Sequence, residues 1–183
     1  SELNQLTEHL AAFLQHKLDM RKGDKIAIMM PNLLQNPISI FASLRAGLTV
    51  VNTNPLYTAE ELSRQLNDCG ATTIIILENF ANVLQKIIAK TPIKNVIVTR
   101  MADMISFPKS FIINAVVKHV KKMVPAFSLP DSISFKQALA DGKKYAFTRP
   151  EISLKDFAFL QYTGGTTGVA KGAILTHGNM VAN

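Results

Sequence analysis

The feature that most constrains the fold is an alternation of short apolar runs with longer amphipathic stretches across residues 25–99. The short runs lack polar alternation, which is typical of strands buried on both faces of a parallel sheet. Predicted strands are 25–30, 48–51, 72–77 and 95–99, and predicted helices are 37–46, 58–68 and 79–90. This order favours right-handed crossovers and predicts an α/β fold with a mostly parallel, doubly wound sheet.

Several residues mark the ends of these elements. Thr58 and Glu61 have the spacing of a capping box, which predicts a helix start. Gly47 and Gly70 follow predicted helices and are expected to end them. Downstream, residues 156–162 and 173–175 are apolar enough to be two further strands.

Between those last two runs lies the stretch richest in candidate functional residues. Residues 162–173 read Tyr-Thr-Gly-Gly-Thr-Thr-Gly-Val-Ala-Lys-Gly-Ala. This composition is unsuited to a packed core but well suited to a loop that binds a polyanion. Glycine lets backbone N–H groups approach phosphate oxygens, threonine offers hydroxyls, and lysine supplies a positive charge. Open α/β sheets bind ligands beyond the carboxyl ends of their strands, where this stretch falls. The sequence therefore predicts a nucleotide phosphate loop.

Two common nucleotide motifs do not match. A Walker loop places glycine before its lysine and Ser or Thr after it, whereas Ala170 precedes Lys171 and Gly172 follows it. A dinucleotide fingerprint would open a helix after the first strand, where residues 30–33 read Met-Pro-Asn-Leu. A plain glycine-rich turn between two strands remains the alternative.

Composition narrows the class of protein. With 183 residues, 48% of them hydrophobic, the chain can form a globular domain. Its single cysteine, Cys69, and the lack of a signal peptide predict a cytoplasmic protein, and four scattered histidines give no reason to expect zinc. Because the helix predicted to start at Thr176 has barely begun when the sequence ends, we expect a fragment of a longer polypeptide.

The chain has a net charge of +7, and one segment, residues 101–130, carries Lys109, Lys118, Lys121 and Lys122 with no acidic residue between Asp103 and Asp131. From 110 to 124 a helical wheel predicts an apolar face opposite a polar one, with Phe111 and Ala115 as exceptions. The predicted apolar face comprises Ile112, Ile113, Val116, Val117, Val120, Met123 and Val124, and the polar face Asn114, Lys118, His119, Lys121 and Lys122. Such a basic amphipathic helix suits peripheral contact with an anionic membrane, although docking on the main domain is an equal alternative. It is too short and charged to span a bilayer, and no aromatic residues interleave with the lysines as nucleic-acid binding would favour.

The loop also resembles a known signature. In the adenylate-forming (AMP-binding) superfamily the corresponding stretch reads Tyr or Phe, Thr, Ser, Gly, Ser or Thr, Thr, Gly, any residue, Pro, Lys, Gly. This chain departs from it at Gly164 and Ala170, and the double glycine is most similar to bacterial long-chain fatty-acid-CoA ligases. Residues 44–55 resemble an upstream motif of the same superfamily, in which a helix ends on glycine and passes to a buried strand.

The resemblance implies an activity, a domain and a set of site residues. The chain would be part of the large N-terminal AMP-binding domain of an enzyme that uses ATP, Mg²⁺ and coenzyme A to convert fatty acids to acyl-CoA through an acyl-adenylate. Thr163 and Lys171 would be catalytic, and Thr163 would contact the metal. ATP would contact Tyr162, Thr163, Gly164, Gly165, Thr166, Thr167, Gly168, Val169, Ala170, Lys171, Gly172 and Ala173. His177 is expected to support the helix rather than to act in catalysis.

Other functions stay open from the sequence. The adenine, acyl and coenzyme A sites of such enzymes would lie beyond Asn183, so the chain alone is expected to be inactive. An adenylating ligase for another carboxylic acid fits the same motifs. A non-catalytic nucleotide-binding or membrane-binding module is the alternative from a different class.

Overall fold

The structure is a computed structural model that describes residues 1–163 and 171–182. Its strands are β1 (Lys25–Met29), β2 (Thr49–Asn52), β3 (Thr73–Leu77), β4 (Asn95–Thr99), β5 (Ile133–Ser134), β6 (Phe157–Thr163) and β7 (Lys171–Thr176). Its α-helices are α1 (Glu2–His16), α2 (Gln35–Arg45), α3 (Ala59–Cys69), α4 (Ala81–Gln85), α5 (Lys109–Ala115), α6 (Phe135–Gly142) and α7 (His177–Ala182). A π-helix, Val116–Val120, continues α5.

The strands form one sheet in the order β5-β4-β3-β1-β2-β6-β7. Neighbouring strands pair in parallel except β6 and β7, which pair antiparallel. The chain starts in the middle of the sheet at β1 and adds strands on both sides, so the predicted doubly wound, mostly parallel sheet is confirmed. The sequence did not indicate the two-residue strand β5 at the edge.

Both faces of the sheet are covered, which explains the continuous apolar runs. In β1, Ile26 and Ile28 contact the layer formed by α1, α2 and α6, whereas Ala27 and Met29 contact the layer formed by α3 and α4. All four side chains are buried. Because successive side chains of a strand point to opposite faces, a strand between two helical layers has no solvent-facing position to fill with polar residues.

The predicted signals at the ends of α3 are confirmed. The Oγ1 of Thr58 accepts a hydrogen bond from the Glu61 N–H at 3.3 Å, and the Glu61 carboxylate accepts one from the Thr58 N–H at 2.8 Å. The carboxylate also accepts a hydrogen bond from the Thr58 hydroxyl at 2.8 Å, and the bonds from the Thr58 N–H and hydroxyl lower the pKa of the Glu61 carboxyl. At the other end, Gly70 has φ +66°, the left-handed conformation that closes a helix.

The prediction of one helix over 79–90 is wrong. The structure has a 3₁₀ turn at Glu78–Phe80, the short α4, and a second 3₁₀ turn at Ile88–Lys90. The Asn79 side chain donates to the Met123 carbonyl at 2.9 Å, and the Gln85 side chain accepts from the Ser128 N–H at 2.8 Å. These contacts with a distant segment favour a broken helix over the regular one that the apolar spacing alone indicates.

Candidate phosphate-loop site

The predicted phosphate loop joins two paired strands. Tyr162 lies opposite Gly172 and Thr163 opposite Lys171 in the β6–β7 ladder, so the two ends of the loop are neighbours. The connection over 164–170 is longer than the roughly two to five residues of ordinary hairpin loops, which favours a functional loop over a plain turn. Predicted ATP contacts that lie outside the described residues are Gly164, Gly165, Thr166, Thr167, Gly168, Val169 and Ala170.

The sheet places this hairpin at a reversal of chain direction. The chain leaving β2 crosses over to β3 on one side, while the chain leaving the adjacent β6 turns to β7 on the other. The carboxyl ends of β2 and β6 therefore flank a crevice, the kind of position where open α/β sheets bind ligands. Thr163 ends β6 at the rim of this crevice, and Lys171 begins β7 beside it.

Tyr162 anchors the base of the hairpin. Its hydroxyl donates a hydrogen bond to the carboxylate of Asp68, near the end of α3. Burial raises the pKa of the Tyr162 phenol, and the bond to Asp68 raises it further, so the hydroxyl stays a donor at neutral pH. The ring covers Gly172, where a Cβ would lie 3.1 Å from the ring atom Cζ. Glycine at that position therefore allows the ring to lie flat against the partner strand.

The sequence analysis missed Asp68. The residue precedes the stop at Gly70, where a polar helix end gives no sign of a partner 94 residues away. Only the pairing of β2 with β6 brings the end of α3 next to the phosphate-loop hairpin. We class Asp68 as a positioning residue, since it acts through Tyr162.

A polar cleft of about 370 Å³ opens beside the hairpin at the carboxyl ends of β1, β2 and β6. It is lined by carboxamides, and no charged residue is among its described walls. Its polar side chains are Asn32, Asn36, Asn52, Thr53, Asn54, Tyr57, Gln161 and Tyr162. Asn52 donates to the Gln161 side chain at 3.0 Å, which ties β2 to β6 just below the loop. The signal available in the sequence was the cluster Asn52-Thr53-Asn54 directly after a buried strand.

Gln65 supports this cleft from α3. Its side chain is buried, and its Nε2 donates to the Asn52 carbonyl at 3.2 Å. Its Oε1 has no hydrogen-bond partner within the described part of the chain. Gln65 thus fixes the backbone at the end of β2 from below the cleft.

The helix after the hairpin begins as predicted. Thr176 accepts a hydrogen bond from the Asn179 N–H at 3.2 Å, and the His177 N–H donates to the Asp156 carbonyl at 3.0 Å. A hydrogen bond from the Lys22 ammonium lowers the pKa of the Asp156 carboxyl. These contacts tie the start of α7 to the chain before β6.

The basic segment has a different exposed face from the predicted one. Ile113 and Val117 are half-buried, and the Asn114 side chain accepts from the Ala102 N–H at 2.9 Å, so the predicted polar residue Asn114 faces the domain. The predicted exception Phe111 is 70% exposed, and Phe107 is 83% exposed. The helical-wheel prediction is wrong for two reasons. Ser110 and Asn114 fix which side of the helix faces the domain, and the π-helix has a period longer than 3.6 residues.

The corrected outer face, which we call the apolar outer face, comprises Phe107, Phe111, Ile112, Val116, Val120 and Met123. Lys109, Lys121 and Lys122 are exposed on the same segment. No helix within 1–163 or 171–182 has the length and apolar character needed to cross a bilayer.

The model of the family described as "AMP-binding enzyme" matches residues 1–183. The chain belongs to the AMP-binding enzyme family. The fold agrees, because a long-chain-fatty-acid-CoA ligase from Archaeoglobus fulgidus superposes with a TM-score of 0.73 and 26% identity over 99% of this chain and 30% of that one. An anthranilate CoA ligase in complex with anthranoyl-AMP shares the fold, with a TM-score of 0.74 and 18% identity over 96% of this chain and 29% of that one.

Relatives in sequence include long-chain-fatty-acid–CoA ligases from two organisms. The one from Salmonella typhimurium is 54% identical over 182 residues, which is 100% of this chain and 32% of the relative. The one from Bacillus subtilis is 38% identical over 175 residues, 95% of this chain and 31% of the relative. The AMP-binding chain described here thus spans about a third of the length of these relatives.

Proposed function

We propose that the full-length protein containing this chain is a long-chain fatty-acid-CoA ligase. The observation that carries the proposal is 54% identity over the whole chain to a protein of that name. The hairpin that brings Thr163 and Lys171 to either end of a glycine- and threonine-rich connection supports it.

The reaction has two steps. A fatty-acid carboxylate oxygen attacks the α-phosphorus of ATP, the bond between the α-phosphorus and the bridging oxygen to the β-phosphorus breaks, and pyrophosphate leaves. The sulfur of coenzyme A then attacks the acyl carbonyl carbon, its thiol proton is released, and AMP leaves. Negative charge grows on the β-phosphate in the first step, so donors fixed around it lower the barrier.

We assign the loop residues to the stabilisation of this negative charge. Lys171 would place its ammonium against the leaving pyrophosphate, Thr166 and Thr167 would donate hydroxyls, and the glycines of the loop would offer backbone N–H groups. Tyr162, held by Asp68 and packed on Gly172, would keep the base of the loop in register. The loop would stabilise the charge on the leaving pyrophosphate, and the sheet would hold the loop in position.

We infer that a magnesium ion would bind at this site through few protein ligands. Within the described residues, no three His, Cys, Asp or Glu side chains come together as a metal site. Mg²⁺ in nucleotide enzymes keeps several waters and binds substrate phosphates with one or two protein oxygens, and Thr163 at the end of β6 would supply one. When bound, the ion would neutralise phosphate charge.

The test is a substrate panel on the full-length enzyme. We expect AMP, pyrophosphate and acyl-CoA in equal amounts with hexadecanoate, ATP and coenzyme A, and far less product with aryl or amino acids. Preference for an aryl or amino acid would assign the protein to a ligase for another carboxylic acid. No product with any acid would leave only a nucleotide-binding or membrane-binding role.

We also propose that the enzyme binds anionic membrane surfaces through the apolar outer face. Aromatic and aliphatic side chains stand exposed beside Lys109, Lys121 and Lys122, and no acidic residue occurs between Asp103 and Asp131. Apolar side chains can enter the headgroup region while the lysines pair with lipid phosphates. A ligase bound there would meet its substrate where long-chain fatty acids dissolve.

Burial raises the pKa of the Glu78 carboxyl, and the charges of Arg100 and Lys118 partly offset that rise. The membrane test leaves Lys118 unchanged, because its charge also acts on a carboxyl of the domain.

Cosedimentation of the full-length enzyme with liposomes tests the membrane proposal. We expect K109E/K121E/K122E and, separately, F107S/F111S to reduce binding to anionic liposomes at least about tenfold, since each lysine near the surface contributes about 1 kcal/mol. K86E/K90E/K94E makes the same change in net charge at exposed positions elsewhere and should bind like the native enzyme. Equal loss in this control would mean that only net charge matters.

A further inference from the structure

An apolar crevice lies next to the basic segment, at the edge of the sheet where the parallel strands end. It separates the residues that follow β1 from the residues that follow β4. Because β1, β3 and β4 run in the same direction, these two groups of residues meet at the same edge of the sheet. The apolar walls of the crevice are Leu33, Leu34, Pro37, Met101, Met104 and Ile105. Two segments that are distant in sequence thus present one apolar surface.

The two walls of the crevice are fixed relative to each other. The buried Gln35 side chain donates to the Arg100 carbonyl at 2.7 Å, which joins the start of α2 to the end of β4. Leu33 and Met101 are half-buried and pack against the main core. Leu34, by contrast, is 62% exposed at the rim of the crevice. A fixed rim that exposes a large apolar side chain is typical of a surface that binds a partner.

The crevice continues into the apolar outer face. Its wall residue Ile105 is followed two positions later by Phe107, the first residue of that face. Lys109 is exposed two positions further on. The segment that leaves the crevice therefore carries first apolar and then basic side chains at its surface, a combination that suits an anionic bilayer.

The charge of the two crevice segments favours the same partner. Neither residues 25–59 nor residues 104–130 include an aspartate or a glutamate. Asp103, which lies within one wall segment, is buried and accepts hydrogen bonds from the Thr99 hydroxyl at 3.3 Å and the Arg100 N–H at 2.8 Å. Lipid phosphates that approach this surface would therefore meet apolar, neutral polar and basic groups rather than exposed carboxylates.

We propose that residues 31–37 form a second membrane contact, in which Leu34 enters the headgroup region of an anionic bilayer beside the apolar outer face. The inference rests on the membrane binding proposed above and extends it across the crevice. It adds a segment that an amphipathic helix alone would not predict, since residues 31–37 lie about 70 positions upstream of Phe107. Burial of the exposed leucine in lipid supplies the favourable free energy of this contact.

Contact at both segments sets the orientation of the domain on the bilayer. Asn32 and Asn36 line the crevice and also line the polar cleft beside Tyr162. With Leu34 and Phe107 in the headgroup region, the carboxyl ends of the parallel strands face the lipid and their amino ends face away from it. The polar cleft then opens close to the lipid surface.

Cosedimentation of the full-length Leu34→Ser variant with anionic liposomes tests the second contact. Leu34 directly precedes α2 and makes no capping bond through its side chain. Serine is favoured at such a position, so the variant should fold like the native enzyme. We expect it to bind anionic liposomes at least about fivefold more weakly, because the apolar surface that enters the headgroup region is lost.

The matched control is Leu154→Ser. Leu154 is 64% exposed and precedes the amino end of β6, at the opposite edge of the sheet from Leu34. This variant removes an equally exposed leucine and should bind like the native enzyme. Equal weakening in both variants would overturn the proposal, since any exposed leucine would then have the same effect.

Fluorescence quenching locates Leu34 relative to the bilayer. Leu34→Trp and Leu154→Trp each add one indole to the full-length enzyme, and the emission of the native enzyme is subtracted. Anionic liposomes that contain phosphatidylcholine brominated on its acyl chains quench indoles that enter the bilayer. We expect the added emission of Leu34→Trp to be quenched and that of Leu154→Trp to be unaffected.

The outcomes separate this inference from the membrane proposal on which it rests. Weak binding by F107S/F111S, with native binding by Leu34→Ser and no quenching in Leu34→Trp, would overturn the second contact and retain the first. The crevice would then be covered by a protein partner or by the remainder of the chain. No binding of the native enzyme to anionic liposomes would reject both contacts.

Discussion

At the residue scale, the phosphate-loop hairpin is held in place by Tyr162, whose phenol takes no part in the proposed reaction. Tyr162 donates to Asp68 across 94 positions of sequence and lies flat on Gly172. Both contacts hold the last paired residues before the loop. No step of the proposed reaction uses the phenolate, so the raised pKa of Tyr162, caused by burial and by the bond to Asp68, is compatible with a positioning role.

Removing this hydrogen bond should loosen the loop without unfolding the domain. Tyr162→Phe keeps the ring on Gly172, and Asp68→Ala removes the acceptor. We expect each to lower the free energy of unfolding by about 1 kcal/mol, as for a typical hydrogen bond, and to raise KM for ATP about fivefold. The double variant should lose little more than either single variant, because both remove one interaction.

Tyr145→Phe provides the comparison, since Tyr145 stacks on His16 at 5.2 Å between ring centres, away from the hairpin. It should leave KM for ATP unchanged. Strict additivity of Tyr162→Phe and Asp68→Ala would show that the two side chains act independently.

Residue-level prediction from the sequence succeeded where partners are close along the chain. The capping pair Thr58 and Glu61 could be predicted because the two residues lie only three positions apart. Asp68 and Gln161 could not, because their partners are set by the pairing of β2 with β6. Contacts between distant residues need the topology first.

At the element scale, two glycines end helices by the same backbone conformation in different surroundings. Gly47 has φ +75° and Gly70 has φ +66°. A Cβ on Gly47 would lie 3.2 Å from side-chain carbons of Lys22 and Pro150, whereas a Cβ on Gly70 would meet nothing within 4 Å. The Gly47 carbonyl also accepts from the Gly23 N–H at 2.8 Å, which fixes the entry to β2.

Gly70→Ala should therefore lower the free energy of unfolding only through the strained backbone conformation. Gly47→Ala should add the crowding of the new Cβ against Lys22 and Pro150. A left-handed conformation costs a non-glycine residue about 1–2 kcal/mol. We expect Gly70→Ala to lose about 1 kcal/mol and Gly47→Ala at least about 2 kcal/mol, measured by urea unfolding of the full-length enzyme. Equal losses would indicate that Lys22 and Pro150 move aside freely.

The predictions were wrong for the two elements that form hydrogen bonds to segments distant in sequence. The segment 79–90 breaks because Asn79 and Gln85 bond to residues 123–128. The segment 110–124 rotates because Asn114 bonds to Ala102. Over 110–124 the apolar spacing predicts a helical segment but not its inner face, and over 79–90 it predicts one helix where three short ones form. In both segments the polar contacts that decide the structure are not visible in the apolar spacing.

At the scale of the whole molecule, the fold could be predicted because strand and helix alternate with clear stops and every central strand is buried on both faces. The same topology places the phosphate-loop hairpin and the polar cleft on one edge of the sheet. The sequence indicated the loop from its composition. The cleft arises from side chains that only the sheet order brings together.

In the proposed function, the loop holds the departing pyrophosphate. The most direct test compares the two half-reactions in the full-length enzyme with Lys171, Thr166 and Thr167 all replaced by alanine. We predict that acyl-adenylate formation falls at least about a hundredfold, as when preorganised charge stabilisation is removed. Thioester formation from supplied acyl-adenylate should stay within severalfold of the native rate. Adenylation at native speed, or an equal fall in both half-reactions, would contradict the claim.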